Sequence, residues 1–264
     1  MRLLENIQSV LIDLDGTVLH GDRLIKGAVE TIEALQNAGK KVAFLSNRGN
    51  LSRAEGLERL RGHGIYVEKE AIIFSSTVTA RFIKAHYPKA SVWVLGNKGL
   101  GEEICAHDIP IAQTPEEADF VVVTLHDAIT YDELNNAFRA TSADARIIAT
   151  NSDKTYPNEE GPAIDVAGFI GAIEAATGRK TELVVGKPSC FMAEAALDYV
   201  GTEAKHCLIV GDSMESDIAL GRLQGMKTAL VLTGNTTEEA LTHVPERRQP
   251  DAVFESIADL RGEL

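Results

Sequence analysis

Two aspartates stand two apart at the end of an apolar run, Asp13 and Asp15 in VLIDLDGTV. On a strand that spacing points both carboxylates the same way. One such group can attack phosphorus while the other handles the proton of the leaving group. Gly16 lets the chain turn sharply, and backbone N–H groups in such a turn cradle an anion. Taken alone, the segment is equally well an acidic turn after a strand.

Three further apolar runs end in residues suited to the same chemistry. KVAFLSN ends in Ser46 and Asn47. A small hydroxyl at a strand tip can donate to a phosphate oxygen, and the helical turn after it offers free N–H groups. The bland alternative is a helix cap. ELVVGK delivers Lys187, a point charge for phosphate that also tempers repulsion between an attacking carboxylate and an anionic substrate. Most lysines are simply surface residues. CLIV runs into Gly211-Asp212-Ser213-Met214-Glu215-Ser216-Asp217. Mg²⁺ takes oxygen ligands in an octahedron and keeps some waters. Asp13, Asp212 and the backbone carbonyl of Asp15 supply such ligands, with Asp217 placed to hold a metal-bound water. Glu215 competes for that role, and acidic residues are enriched at any helix start. Each signal is weak alone. Together, in this order and all at strand ends, they point to one phosphate-and-cation site.

Such a site needs a scaffold that ends its strands on one edge, as open α/β sheets do. The chain alternates short apolar runs with amphipathic stretches. The strands are read at 10–15, 41–47, 71–76, 91–96, 119–126, 146–151, 182–187, 207–212 and 228–234. A helix is expected over 28–39, ended by Gly39, and another over 52–64, with Ser52 as its cap. Continuous apolar strands alternating with helices indicate a parallel sheet covered on both faces. The motifs fall in two blocks of strands, and the stretch between them carries none, which implies an inserted domain of about 100 residues.

Composition narrows the class. With 264 residues, 44% hydrophobic and 25% charged, the chain is ordinary for a globular protein. A net charge of −13 excludes the basic footprint of a nucleic-acid binder. RLRGHG near Arg59 is a local exception that reads as a solvated face. No apolar run is long enough to cross a bilayer, and the first residues show no cleavage site of a signal peptide. Cys105, Cys190 and Cys207 are far apart, which fits a reducing, cytoplasmic setting. The histidines show no metal-ligand pairing, and LGNKGLG at 95–101 misses the dinucleotide fingerprint.

Asp-x-Asp-Gly-Thr, then Ser-Asn, then Gly-Lys-Pro, then Gly-Asp-x4-Asp resembles the four motifs of the haloacid-dehalogenase (HAD) superfamily. LIKGAVETIEAL, FLSNRGNLSR, ATNSD and VVGKPS are similar to its NagD branch, and HDAITYDELNNAF and AIDVAGFIGAIEAATGRKTELVVGKPS to the AraL-type sugar phosphatases within it. The resemblance implies a Rossmann-like core over residues 1–79 and 181–264, with an α/β cap of the C2 type inserted over 80–180. It implies Asp13 as nucleophile and Asp15 as general acid and base. Ser46, Asn47 and Lys187 would bind phosphate, and Asp13, Asp15 and Asp212 would hold Mg²⁺. Arg48 would read a second anionic group or pair with a surface acid. In the family the loop 151–157 faces the active site, which makes Asn151 and Tyr156 candidate substrate contacts, with an ordinary turn as the alternative. Thr124-Leu125-His126-Asp127 departs from the Val-Gly-x-Asp of many relatives.

The expected activity is Mg²⁺-dependent hydrolysis of a small phosphorylated metabolite, a sugar phosphate first, with pyridoxal phosphate and nucleotides left open. Capped members of the family often pair through the cap, so the resemblance also implies a possible homodimer formed that way. A phosphomutase usually carries its cap before the Ser motif, and a dehalogenase needs neither Mg²⁺ nor Asp15. A non-catalytic sugar-phosphate-binding regulator is opposed by the intact Asp13, Asp15, Lys187 and Asp212.

Overall fold

A computed structural model describes residues 3–158 and 161–264. The chain divides into two compact units. The first comprises Met1–Ser46, Leu57–Ile73 and Lys187–Leu264; the second comprises Asn47–Gly56 and Phe74–Gly186.

In chain order the strands are β1 (Ser9–Ile12), β2 (Leu19–His20), β3 (Arg23–Leu24), β4 (Lys41–Ser46), β5 (Ile72–Phe74), β6 (Val92–Leu95) and β7 (Phe120–Val123), followed by β8 (Arg146–Ala149), β9 (Thr155–Asn158), β10 (Gly161–Ile164), β11 (Thr181–Val184), β12 (Cys207–Gly211), β13 (Lys227–Val231) and β14 (Ala252–Phe254). The main helices are α1 (Ala28–Asn37), α2 (Arg53–Gly62), α3 (Ser75–His86), α4 (Lys98–Ala106), α5 (Tyr131–Ser142), α6 (Val166–Thr177) and α7 (Cys190–Val200).

The first unit is built on a six-stranded sheet, ordered β14-β13-β12-β1-β4-β5. β1 lies between β12 and β4 and pairs parallel with both, so that Leu11 faces Ile209 on one side and Ala43 on the other. Val10, Leu11, Ile12, Leu208, Ile209 and Val210 are fully buried, the pattern of strands covered on both faces. Because β12, β1 and β4 run in the same direction, their carboxyl ends share one edge. Asp212, Asp13 and Ser46 sit there.

The second unit holds a four-stranded parallel sheet, β11-β8-β7-β6, and an antiparallel hairpin of β9 and β10. Val121, Val123, Ile147 and Ala149 pack there with Ala137 and Ala140 of α5 and with Val166, Ile170 and Ile173 of α6. Local signals set these helices. Thr130 and Glu133 form a reciprocal capping box at the start of α5. The Asp165 side chain caps α6, and Gly178 ends it in the left-handed conformation at φ 70°.

Three readings of the sequence change. Most of the strands stop two or three residues earlier than their apolar runs, because the chain leaves the ladder there for a loop or, after β5, for helix α3. Ser75 and Ser76 open α3 instead of closing a strand; their hydroxyls donate to the carbonyls of Asn47 and Leu51. The third change concerns β11. The run ending in Lys187 was expected among the motif-bearing strands, yet it pairs with β8 in the second sheet. Three strand tips, not four, belong to one sheet, and Lys187 arrives from outside it.

Candidate active site

Asp13 follows β1 directly and stays registered with the sheet, its backbone N–H donating to the Val210 carbonyl at 2.9 Å. Its side chain is buried, as are those of Asp212, Asp217 and Lys187. The Lys187 ammonium donates to Asp13 Oδ1 at 2.5 Å, to Asp217 Oδ1 at 2.6 Å and to the Leu45 carbonyl at 2.8 Å. All three donors of the ammonium are thus accounted for.

Asp212 is held from the backbone. Its Oδ2 accepts from Asn235 N–H at 2.5 Å, and its carbonyl accepts from Thr236 N–H at 3.1 Å. Asp217 lies on the helical turn Met214–Ile218. Its second oxygen accepts from Ser213 N–H at 3.2 Å. Two glycines make room. A Cβ on Gly16, which sits at φ 82°, would strike the Asp212 carboxylate, and a Cβ on Gly211 would strike that of Asp217.

Oxygens of Asp13, Asp212 and Asp217 lie within 4.8 Å of one another. Burial foremost raises the Asp13 carboxyl well above its ordinary range; Lys187 opposes the rise, and Asp217, Asp212 and Asp15 add to it. Burial, then the Asp217 charge, push Asp212 up to about 7 against the pull of the Asn235 N–H. Burial pulls the Lys187 pKa down, but Asp13 and Asp217 together outweigh it and hold the ammonium protonated.

The donor set fits a hard divalent cation. Three buried carboxylates stand against one ammonium, a formal excess of two negative charges. Carboxylate and carbonyl oxygens are the ligands Mg²⁺ selects. Glu215, the competing carboxylate, is exposed and pairs with Arg248 at 3.0 Å. The structure therefore separates the two acids of that segment, turning Asp217 inward and Glu215 out.

The remaining candidates fall into two groups. Asp15 is partly exposed beside Asp13, and Ser46 is buried at the tip of β4. Asn47, Arg48, Asn151 and Tyr156 belong to the second unit. The Asn47 side chain donates to Asp153 Oδ2 at 3.0 Å, and its carbonyl accepts from Asn151 Nδ2 at 3.0 Å and Ser75 Oγ at 2.9 Å. Asn151 Oδ1 in turn accepts from Asp153 N–H at 3.0 Å. Tyr156 stands on β9 opposite Ala163, partly exposed.

The sequence reading missed the clamp on Asp212 formed by Gly234, Asn235 and Thr236. Its signal was the Gly-Asn pair directly after the apolar run of β13. It also missed that Asp217 meets Lys187 directly.

A six-stranded sheet whose strands β14 to β4 run parallel, with an Asp-x-Asp loop and two further aspartates at its carboxyl edge and a buried lysine brought against them from outside it, defines a phosphoryl-transfer hydrolase. Models of the haloacid dehalogenase-like hydrolases and of HAD-hydrolase-like proteins match residues 10–110 and 184–260. The sugar-phosphatase AraL of Bacillus subtilis is 54% identical over 253 residues, covering 95% of this chain and 91% of that protein. Mouse chronophin is 34% identical over 98% of this chain and 93% of its own length. The solved p-nitrophenyl phosphatase from Archaeoglobus fulgidus superposes with a TM-score of 0.90 at 38% identity, covering 98% of this chain and 99% of that one. The chain belongs to the haloacid dehalogenase-like hydrolases, in their NagD-like branch, and is a phosphoric monoester hydrolase. Among the described residues no helix is long and apolar enough to cross a membrane.

Proposed function

We propose that this chain hydrolyses small phosphomonoesters, sugar phosphates foremost, with Mg²⁺ and through an aspartyl phosphate on Asp13. The observation that carries the reading is the buried cluster in which Lys187 bridges Asp13 and Asp217 beside Asp212. The sugar class rests on the sugar-phosphatase that is 54% identical.

Asp13 attacks phosphorus and the bond to the leaving oxygen breaks. Asp15 gives that oxygen its proton, then takes one from the water that attacks the aspartyl phosphate, releasing inorganic phosphate and restoring Asp13. Lys187 orients the Asp13 carboxylate and keeps positive charge beside the transferred group. Ser46 and the Asn47 backbone N–H supply further donors to it. Asp13, Asp212 and the Asp15 carbonyl would hold Mg²⁺, with Asp217 beside them, and the ion supplies stabilisation of the charge that develops on the phosphoryl oxygens. Arg48 and Tyr156 are the residues proposed to read the remainder of the substrate. The two compact units support a division into a catalytic core and an inserted cap, with the seams at Ser46/Asn47, Gly56/Leu57, Ile73/Phe74 and Gly186/Lys187 in place of a cap confined to 80–180.

The test is a panel of sugar phosphates, pyridoxal phosphate and nucleotides, ranked by kcat/KM with Mg²⁺ and with chelator. Sugar phosphates leading the panel, with turnover lost on chelation, support the reading. A leading nucleotide or pyridoxal phosphate would reassign the substrate. Turnover undiminished by chelation would overturn the metal's part in it.

A further inference from the structure

Asn151 is nearly inaccessible, at 3% exposure, although it lies in a polar loop. Both ends of its amide are spent inside the protein. Nδ2 donates to the Asn47 carbonyl and Oδ1 accepts from Asp153 N–H, at 3.0 Å each. The same Asn47 carbonyl accepts from Ser75 Oγ at 2.9 Å. A Cβ on Gly186 would meet the Thr150 carbonyl, Asn47 Oδ1 and Asn151 Cβ. Four stretches of chain far apart in sequence therefore meet around Asn47 and Asn151: the Asn151 amide ties the Asn47 carbonyl to Asp153, Ser75 bonds the same carbonyl, and Gly186 lies against Asn47 Oδ1 and Asn151 Cβ. All of these residues belong to the second unit.

Two of these stretches continue directly into the catalytic machinery. Asn47 is the next residue after Ser46, and Gly186 is the residue before Lys187. Fixing the peptide units at 47 and 186 therefore limits where Ser46 and Lys187 begin. We propose that Asn151 is a positioning residue rather than a substrate contact: its amide holds the Asn47 carbonyl and its Cβ lies against Gly186, so that the Ser46 hydroxyl and the Lys187 ammonium keep their spacing. Ser75, the second donor to the same carbonyl, shares the task. The inference rests on the phosphatase reading above. It differs from the role of substrate contact that the sequence resemblance implies for Asn151.

The experiment compares wild type, Asn151→Ala, Ser75→Ala and the double variant on three probes. These are p-nitrophenyl phosphate, a sugar phosphate that the wild type turns over, and inorganic phosphate as competitive inhibitor. Misplaced phosphate donors act on every phosphomonoester alike, and shifts of about an ångström cost about 100-fold. The expected result for Asn151→Ala is a fall in kcat/KM of about 10- to 100-fold, equal for both substrates, with a parallel rise in the phosphate inhibition constant. Ser75→Ala gives a smaller fall, and the two effects are non-additive because they share one acceptor. Assays run well below each variant's unfolding midpoint, so loss of fold is read separately. Loss confined to the sugar phosphate would show a substrate contact and overturn the proposal. Unchanged kcat/KM in a destabilised variant would show a purely structural role and overturn it as well. A wild-type chain inactive on every phosphomonoester would remove the phosphatase reading, and this inference with it.

Discussion

The Lys187 ammonium lies 2.6 Å from Asp217 Oδ1, and both side chains are all but sealed from solvent. Removing one partner of such a buried pair leaves a charge without compensation, at a cost of about 3–5 kcal/mol. Here one ammonium serves two carboxylates. Lys187→Met is therefore expected to lower metal-free stability by about that amount and to abolish phosphatase turnover. Denaturant unfolding in chelator checks the first, and a p-nitrophenyl phosphate assay the second. A variant as stable as wild type would show that the pair is neutralised in some other way.

Asp13→Asn removes the nucleophile but keeps the shape of the side chain. Turnover is expected to vanish while the far-ultraviolet circular dichroism is retained. Metal-free stability is expected to be equal or higher, because a buried carboxyl held away from its ordinary range is replaced by a neutral amide. Activity near that of wild type would remove Asp13 from its role.

The Asp212 carboxyl, ordinarily near 3.8, titrates at about 7 in the cation-free fold. Below 3.8 it is protonated in the folded and unfolded chain alike. As pH rises the unfolded group ionises first, so its contribution to stability is full at low pH and is lost as pH passes through about 7. The metal-free protein should lose stability across that window. A divalent cation must displace the same proton, so affinity for Mg²⁺ should rise by about tenfold per pH unit there. Titration calorimetry at about pH 5.5, 6.5 and 7.5 measures both the constant and the proton released. Affinity flat with pH would contradict the raised carboxyl.

Asp217 and Glu215 are two residues apart, yet only Asp217 is buried with the other aspartates. Asp217→Asn is expected to weaken Mg²⁺ binding by at least about tenfold, the range seen when groups supporting metal ligands are lost. Glu215→Gln should leave the binding constant unchanged. Equal effects in the two variants would mean that the helical turn, and not the inward carboxylate, matters to the cation.

Gly211→Ala places a methyl group against the Asp217 carboxylate. Overpacking at such a site costs about 1–3 kcal/mol, and here it also displaces a group beside the cation. The variant should show reduced thermal stability together with weaker Mg²⁺ binding. Loss of stability without loss of affinity would separate Gly211 from the site.

Much of this architecture was visible in the sequence, because its strongest signals are local. Apolar runs marked β1, β4 and β12, and the residues just past them marked Asp13, Ser46 and Asp212. Hydrogen-bond partners distant in the chain were not visible. Asn151 reads as a candidate substrate contact, or a residue of an ordinary turn, until its partner 104 positions away is seen. The hairpin of β9 and β10 was hidden because Pro157 and Pro162 break the pattern of a strand. The sheet to which β11 belongs was also hidden. TELV is a short run of the kind that fits either sheet, and only pairing with β8 decides it.

That pairing sets a rule for building chimeras. Transplanting residues 80–180 into a relative would leave β11, at 181–184, behind and strip the recipient sheet of its matching edge strand. Lys187 would then hang from a segment whose own anchor had been replaced. A graft that carries the donor's β11 and rejoins the host after Gly186 keeps the sheet whole and returns the lysine to its native tether.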